Sequence, residues 1–162
     1  MWLGGSGSVR SDYEPGMPGM VYAAQPNSYR CEFGGETPDE CAVLCAQSIE
    51  DLILFHGPET VAALIAEPVS ASSMAAVPGS PYWPMIRDIC DRYGVLLIAD
   101  EVITGFGRTG QMFAVEHWDI VPDLMTVAKG ITSSYLPFAV SIATNRVAEV
   151  FAGEKNVFRQ AL

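Results

Sequence analysis

Residues Val95–Gly110 read VLLIADEVITGFGRTG. Five apolar residues run directly into two adjacent acids, and a glycine-spaced loop carrying one arginine follows. An uninterrupted apolar run of this length is the pattern of a strand buried on both faces, as in a parallel sheet covered by helices. Such a strand ending on Asp100-Glu101 puts a carboxylate where open α/β sheets bind their ligands, outside the strand carboxyl ends.

The rest of the chain repeats the theme. Thr37 can cap a helix, Pro38 suits its first turn, and Glu40 completes a capping box. Cys41, Leu44, Cys45, Ile49 and Leu52 then recur at helical spacing until Gly57-Pro58. Residues 61–66 (VAALIA) form a first strand that ends at Glu67-Pro68. After a loop rich in Ser, Ala and Pro, Ser80-Pro81 opens a second helix, with Trp83, Ile86, Ile89, Cys90 and Tyr93 near one face and Gly94 at its end. Residues 95–100, 124–128 and 138–144 read as further strands, and Asn145 as the cap of a last helix. Strands alternating with helices define an α/β layer fold with a mostly parallel sheet. The fourth strand follows the third after only about nine residues, too few for a crossover helix, so it is expected antiparallel. Residues 1–36 are an irregular lead-in, and 37–162 the α/β core.

Composition removes several functions. Hydrophobic residues make up 49% of the 162 and charged residues 17%, which suits a buried core and excludes disorder. The net charge is -10 and no basic stripe exists, so nucleic acid is excluded as a partner. No apolar run reaches the roughly 18 residues of a membrane span, and the start lacks the order of a signal peptide. The expected compartment is the cytoplasm. Cys31, Cys41, Cys45 and Cys90 fit no zinc-ligand spacing and are expected to be reduced, partly buried thiols, with no metal site.

Three strand ends carry reactive groups: Glu67, Asp100 and Lys129. Two chemistries put an acid after an apolar strand. Nucleotide hydrolysis needs a G-x-x-x-x-G-K-[ST] loop to cradle phosphates. Neither GGSGS (Gly4–Ser8) nor AKGITS (Ala128–Ser133) supplies one. Pyridoxal phosphate chemistry needs an acid beside the pyridinium nitrogen and a lysine amine for a Schiff base. The acid favours the charged ring, and a buried lysine loses its proton more readily. Lys129, between Ala128 and Gly130 after an apolar strand, is expected to be such a buried amine.

The segments LIADEVITGFGRTG (Leu97–Gly110) and DLMTVAKGITSS (Asp123–Ser134), twelve residues apart, together resemble the signature of class III pyridoxal-phosphate-dependent aminotransferases. YRCEFG, GPETVAALIAEPV, PYWPMIRDICDRYGVLL and FAVEHWDIVPD are also similar to that family. The resemblance fades only over about the last ten residues. It implies a fold-type-I large domain of which this chain is an internal piece, without the N-terminal segment and the small C-terminal domain.

By that resemblance, Asp100 partners the pyridine nitrogen, Lys129 is the Schiff-base lysine, Val102 packs on one face of the ring, and Glu67 lies close behind the cofactor. Some relatives have Gln where this chain has Ile103, so the ring-hydroxyl contact is absent or comes from elsewhere. Arg108 is expected to hold its own loop, and His56 and His117 to be structural. The family's phosphate loop, stacking aromatic, partner-subunit Thr and carboxylate-binding Arg fall outside the sequence. The implied reaction moves an amino group from an amine or ω-amino acid to a keto acid such as pyruvate, in a protein that is a homodimer at full length. A truncated non-catalytic chain, or a related decarboxylase or aminomutase, remain the alternatives.

Overall fold

The computed structural model describes residue 4, residues 11–13 and residues 16–151; most of the GGSGS stretch and the chain beyond 151 lie outside the described residues. Four strands form one sheet in the order β1 (Ala63–Ala66), β2 (Leu96–Asp100), β3 (Leu124–Val127), β4 (Val140–Ala143). The first three are parallel, and β4 pairs antiparallel with β3, as its short connection requires.

Helix α1 (Pro38–His56) starts where its side chains can satisfy the free backbone donors of its first turn. Thr37 Oγ1 accepts from Glu40 N–H at 3.2 Å, and Glu40 Oε2 accepts from Thr37 N–H at 3.2 Å. Its buried stripe runs through Cys41, Ala42, Cys45, Ala46, Ile49 and Ile53. Leu52 is therefore only half-buried, one position out of phase with the expected stripe. Helix α2 (Tyr82–Tyr93) buries Tyr82, Trp83, Ile86, Ile89 and Cys90 and stops at Gly94, whose φ of 70° suits a residue without Cβ. Helix α3 (Asn145–Ala148) is a single turn, and Thr144 rather than Asn145 is its cap residue: the Thr144 carbonyl takes the N–H groups of Val147 and Ala148.

Both long helices contribute to a core with Val95, Leu97 and Ala99 of the β2 segment. Along β2, burial alternates: Leu97 and Ala99 are sealed, while Leu96, Ile98 and Asp100 are half-buried. The expectation of a strand buried on both faces is thus corrected for the described residues. Side chains alternate across a strand, and the core covers only the Leu97–Ala99 face.

Asp123 joins the layers from below. Its carboxylate accepts from Leu97 N–H at 2.9 Å, from Arg87 Nη1 of α2 at 2.9 Å, and from Arg146 Nη2 of α3. Burial pushes this carboxyl up, but the Leu97 N–H and the two guanidinium groups outweigh it and hold it below its ordinary value. A carboxyl with a depressed folded value stabilises fully above the unfolded value of about 3.9, and that stability is lost as pH falls through the folded value. Asp123→Ala leaves a largely buried Arg87 without its main partner and is expected to cost about 3–5 kcal/mol in urea unfolding. Asp123→Asn should flatten the loss of stability below about pH 4. A wild-type acid limb retained in Asp123→Asn contradicts this assignment.

Candidate functional site

The sheet brings the sequence-identified groups to one edge. Ala66 pairs with Ala99 and Asp100 with Thr126. Glu67 therefore stands level with Asp100, and Lys129 lies three residues beyond Thr126 at the same end. Alternation settles what the two adjacent acids face. Asp100 shares the half-open face of β2 with Leu96 and Ile98, whereas Glu101 turns to the covered side and is fully buried.

Asp100 Oδ1 accepts the N–H of Val102 at 3.1 Å. That bond fixes the carboxylate at the strand end and turns the chain out of the sheet. The other oxygen, Oδ2, takes no hydrogen bond from the described residues. Val102 is half-buried. Glu67 is half-buried too, and its Oε2 accepts from Ala71 N–H at 3.3 Å, so it closes the turn after β1.

Lys129 departs from expectation. It is exposed, not buried. The cause is local: its φ is 46°, in the left-handed region, so the chain turns off the sheet edge into a 3-10 turn at Lys129–Thr132. Ser133 and Ser134 have φ of 51° and 65° as well. Three non-glycine residues in this conformation within six positions mark a strained segment. Lys129 makes no ion pair among the described residues, in a chain of net charge -10.

The loop between the acid and the lysine is held by a residue the sequence reading left without a role. Glu101 Oε1 accepts from Val115 N–H at 2.9 Å and Oε2 from the Thr104 hydroxyl, while its backbone N–H continues the ladder to Thr126 O at 2.9 Å. A buried carboxylate without a cation persists only when its oxygens are satisfied in this way. Gly105 follows so closely that an added Cβ would lie 2.9 Å from Glu101 O. The same loop presses on the lysine turn, because a Cβ on Gly130 would meet Phe106 Cβ at 3.2 Å and Gly105 O at 3.3 Å. Arg108 Nε donates to Ile103 O at 2.7 Å, which is the loop-holding role expected of it. His117 Nε2 bonds the loop at Thr109, and Phe106 meets Phe113 edge-on at 5.6 Å. Strict alternation applied past Asp100 would have found Glu101.

Three adjacent parallel strands that deliver two acids and an amine to one edge define an α/β ligand-binding frame. The sequence profile of the Aminotransferase class-III family matches residues 3–157. A putrescine–pyruvate aminotransferase of Pseudomonas aeruginosa is 44% identical over 148 residues, covering 91% of this chain and 32% of the relative. A taurine–pyruvate aminotransferase of Bilophila wadsworthia is 39% identical, covering 88% and 31%. The crystal structure of a thermostable (S)-enantioselective omega-transaminase from Thermomicrobium roseum superimposes with a TM-score of 0.91 at 38% identity, covering 99% of this chain and 36% of that one. The omega transaminase of Pseudomonas jessenii in complex with PMP does so with a TM-score of 0.85 at 39% identity, over 91% and 32%.

The chain belongs to the class III aminotransferases. It spans about a third of the length of the curated relatives it matches. The family is pyridoxal-phosphate-dependent, and the structural relatives carry the fold-type-I architecture.

Glu101→Ala removes the acceptor of two buried donors, each of which costs about 1–3 kcal/mol when unsatisfied. Urea unfolding should therefore lose roughly 2–6 kcal/mol, and amides 102–115 should exchange faster than those of α2. An unchanged exchange pattern across that loop contradicts the role given to Glu101.

Proposed function

We propose that the protein moves an amino group from a primary amine or ω-amino acid to a keto acid such as pyruvate, with pyridoxal phosphate held at the edge formed by Glu67, Asp100, Val102 and Lys129. The observation that carries this is the shared sheet edge: among the described residues, Asp100 keeps one carboxylate oxygen unbonded, and Lys129 keeps an amine without an ion-pair partner. Both are therefore available to a bound molecule. An acid of this kind suits the cationic N–H of a pyridinium ring. Relatives named for putrescine, taurine and pyruvate support a donor with a terminal amine and pyruvate as acceptor.

When bound, pyridoxal phosphate supplies an electron sink for breaking a bond at the substrate carbon that bears nitrogen. The chain's own residues do the rest. Asp100, held by the Val102 N–H, orients the ring and keeps its nitrogen charged. Val102 offers an apolar contact to one ring face. Lys129 would supply the amine that holds the cofactor, and its Nζ would carry a proton to or from the substrate carbon that bears nitrogen. Glu67 holds the turn after β1 in place beside them.

The working unit in this reading is a cytoplasmic homodimer. Exposed Tyr135, Leu136 and Phe138 form an apolar run just past the lysine turn, which suits a second subunit there.

The test uses the full chain together with any flanking sequence its gene encodes, loaded with pyridoxal phosphate and assayed for amine-to-pyruvate transfer. Lys129→Ala should abolish turnover. Asp100→Asn should leave the cofactor bound but slow turnover by at least about a hundredfold, the lower end of the range for one acid–base partner. Sedimentation of the same sample should give a dimer. Turnover retained in Lys129→Ala, or a monomer that is fully active, contradicts the proposal.

A further inference from the structure

Away from the sheet edge, the fold gathers three thiols that the sequence spacing did not connect. Cys41 and Cys45 lie one helical turn apart on the sealed face of α1, with sulfurs 4.0 Å from each other. Cys31 comes from the segment before the helix, directly after a short turn at Ser28–Arg30. The three Sγ atoms all lie within 4.8 Å of one another. Neither the ten-residue step from Cys31 to Cys41 nor the four-residue step on the helix matches a ligand template, so only the folded chain reveals the cluster.

From this geometry we infer a binding site for one thiophilic divalent cation, zinc being the chemical class, with Cys31, Cys41 and Cys45 as its three protein ligands. Sulfurs bonded about 2.3 Å from a common zinc stand about 3.8–4.0 Å apart, so each thiol needs to move by less than about 1 Å.

The backbone around the cluster is built to bring it together. Gly35 approaches the helix so closely that an added Cβ would lie 2.7 Å from Cys41 N, which presses the 31–35 turn onto the first turn of α1. Gly34 N–H closes that turn on Cys31 O at 3.2 Å. Cys31 is the only one of the three that solvent reaches. A cation enters past it.

Binding replaces thiol protons by metal–sulfur bonds: one divalent ion and three thiols give a complex of net charge -1 and release three protons. Uptake therefore weakens as pH falls. The bound ion adds to the contacts that tie the lead-in segment to α1, among them the close approach of Gly35 to Cys41 and the weak Cys45 S–H to Gln25 O bond at 3.5 Å.

The experiment is a cadmium titration of the full chain, kept reduced with a phosphine, read by thiolate-to-metal charge-transfer absorption. One equivalent should saturate the signal. Cys31→Ala, at a half-exposed position where folding is least at risk, should weaken uptake at least about tenfold, the lower bound for losing even an indirect partner of a metal. Cys90→Ala, outside the cluster, should leave the titration unchanged. Zinc should compete for the same equivalent and slow alkylation of Cys31. No saturable uptake, equal weakening by Cys90→Ala, or uptake indifferent to Cys31→Ala each overturns the inference.

Discussion

The structure turns on the alternation of β2 as it ends. Two acids in succession cannot face the same way, so Asp100 falls on the half-open face and Glu101 on the covered side. Everything near the site inherits that split. Among the described residues the buried Glu101 carboxylate has no cation, and it collects hydrogen bonds from Thr104 and Val115 at the two sides of the glycine loop. The loop is thereby folded back over the strand end. Its packing on Gly130 then sets the turn that carries Lys129. One strand position faces the half-open side, and the next builds the support under it.

The order of events along the chain follows from the same economy of short connections. β3 must return parallel beside β2 for Lys129 to share an edge with Asp100, and the 3-10 turn at Ala114–Trp118 gives it that connection. β4 has no room to cross over and returns antiparallel. Asp123, just ahead of β3, then locks α2, β2 and α3 through one carboxylate. Glu101 and Asp123, the two buried carboxylates among the described residues, thus support opposite ends of the strand pair. Glu101 works through neutral donors and Asp123 through guanidinium groups.

Much of this was legible from the residues. Helix boundaries followed from Thr37, Glu40 and the left-handed Gly94, because caps are local chemistry. Strand direction followed from connection length. The grouping of Glu67, Asp100 and Lys129 at strand ends followed from the apolar runs before them. What was not legible depends on through-space contact. The exposure of Lys129 comes from a positive φ that no residue in AKGITSS announces. The half-burial of Leu52 and the open face of β2 come from both helices packing with one face of the sheet. The three-thiol cluster needs the close approach of Gly35 to α1, which is a property of the packed chain alone.

This sheet edge is proposed to hold pyridoxal phosphate through Lys129. The sequence contains two lysines, Lys129 and Lys155, which makes the direct measurement clean. The full chain is incubated with one equivalent of pyridoxal phosphate and reduced with borohydride, and the site of the label is mapped by peptide mass spectrometry. The account predicts the label on Lys129, with Asp100→Asn keeping it there. A label divided between Lys129, Lys155 and the N-terminal amine, as random amines would give, contradicts it.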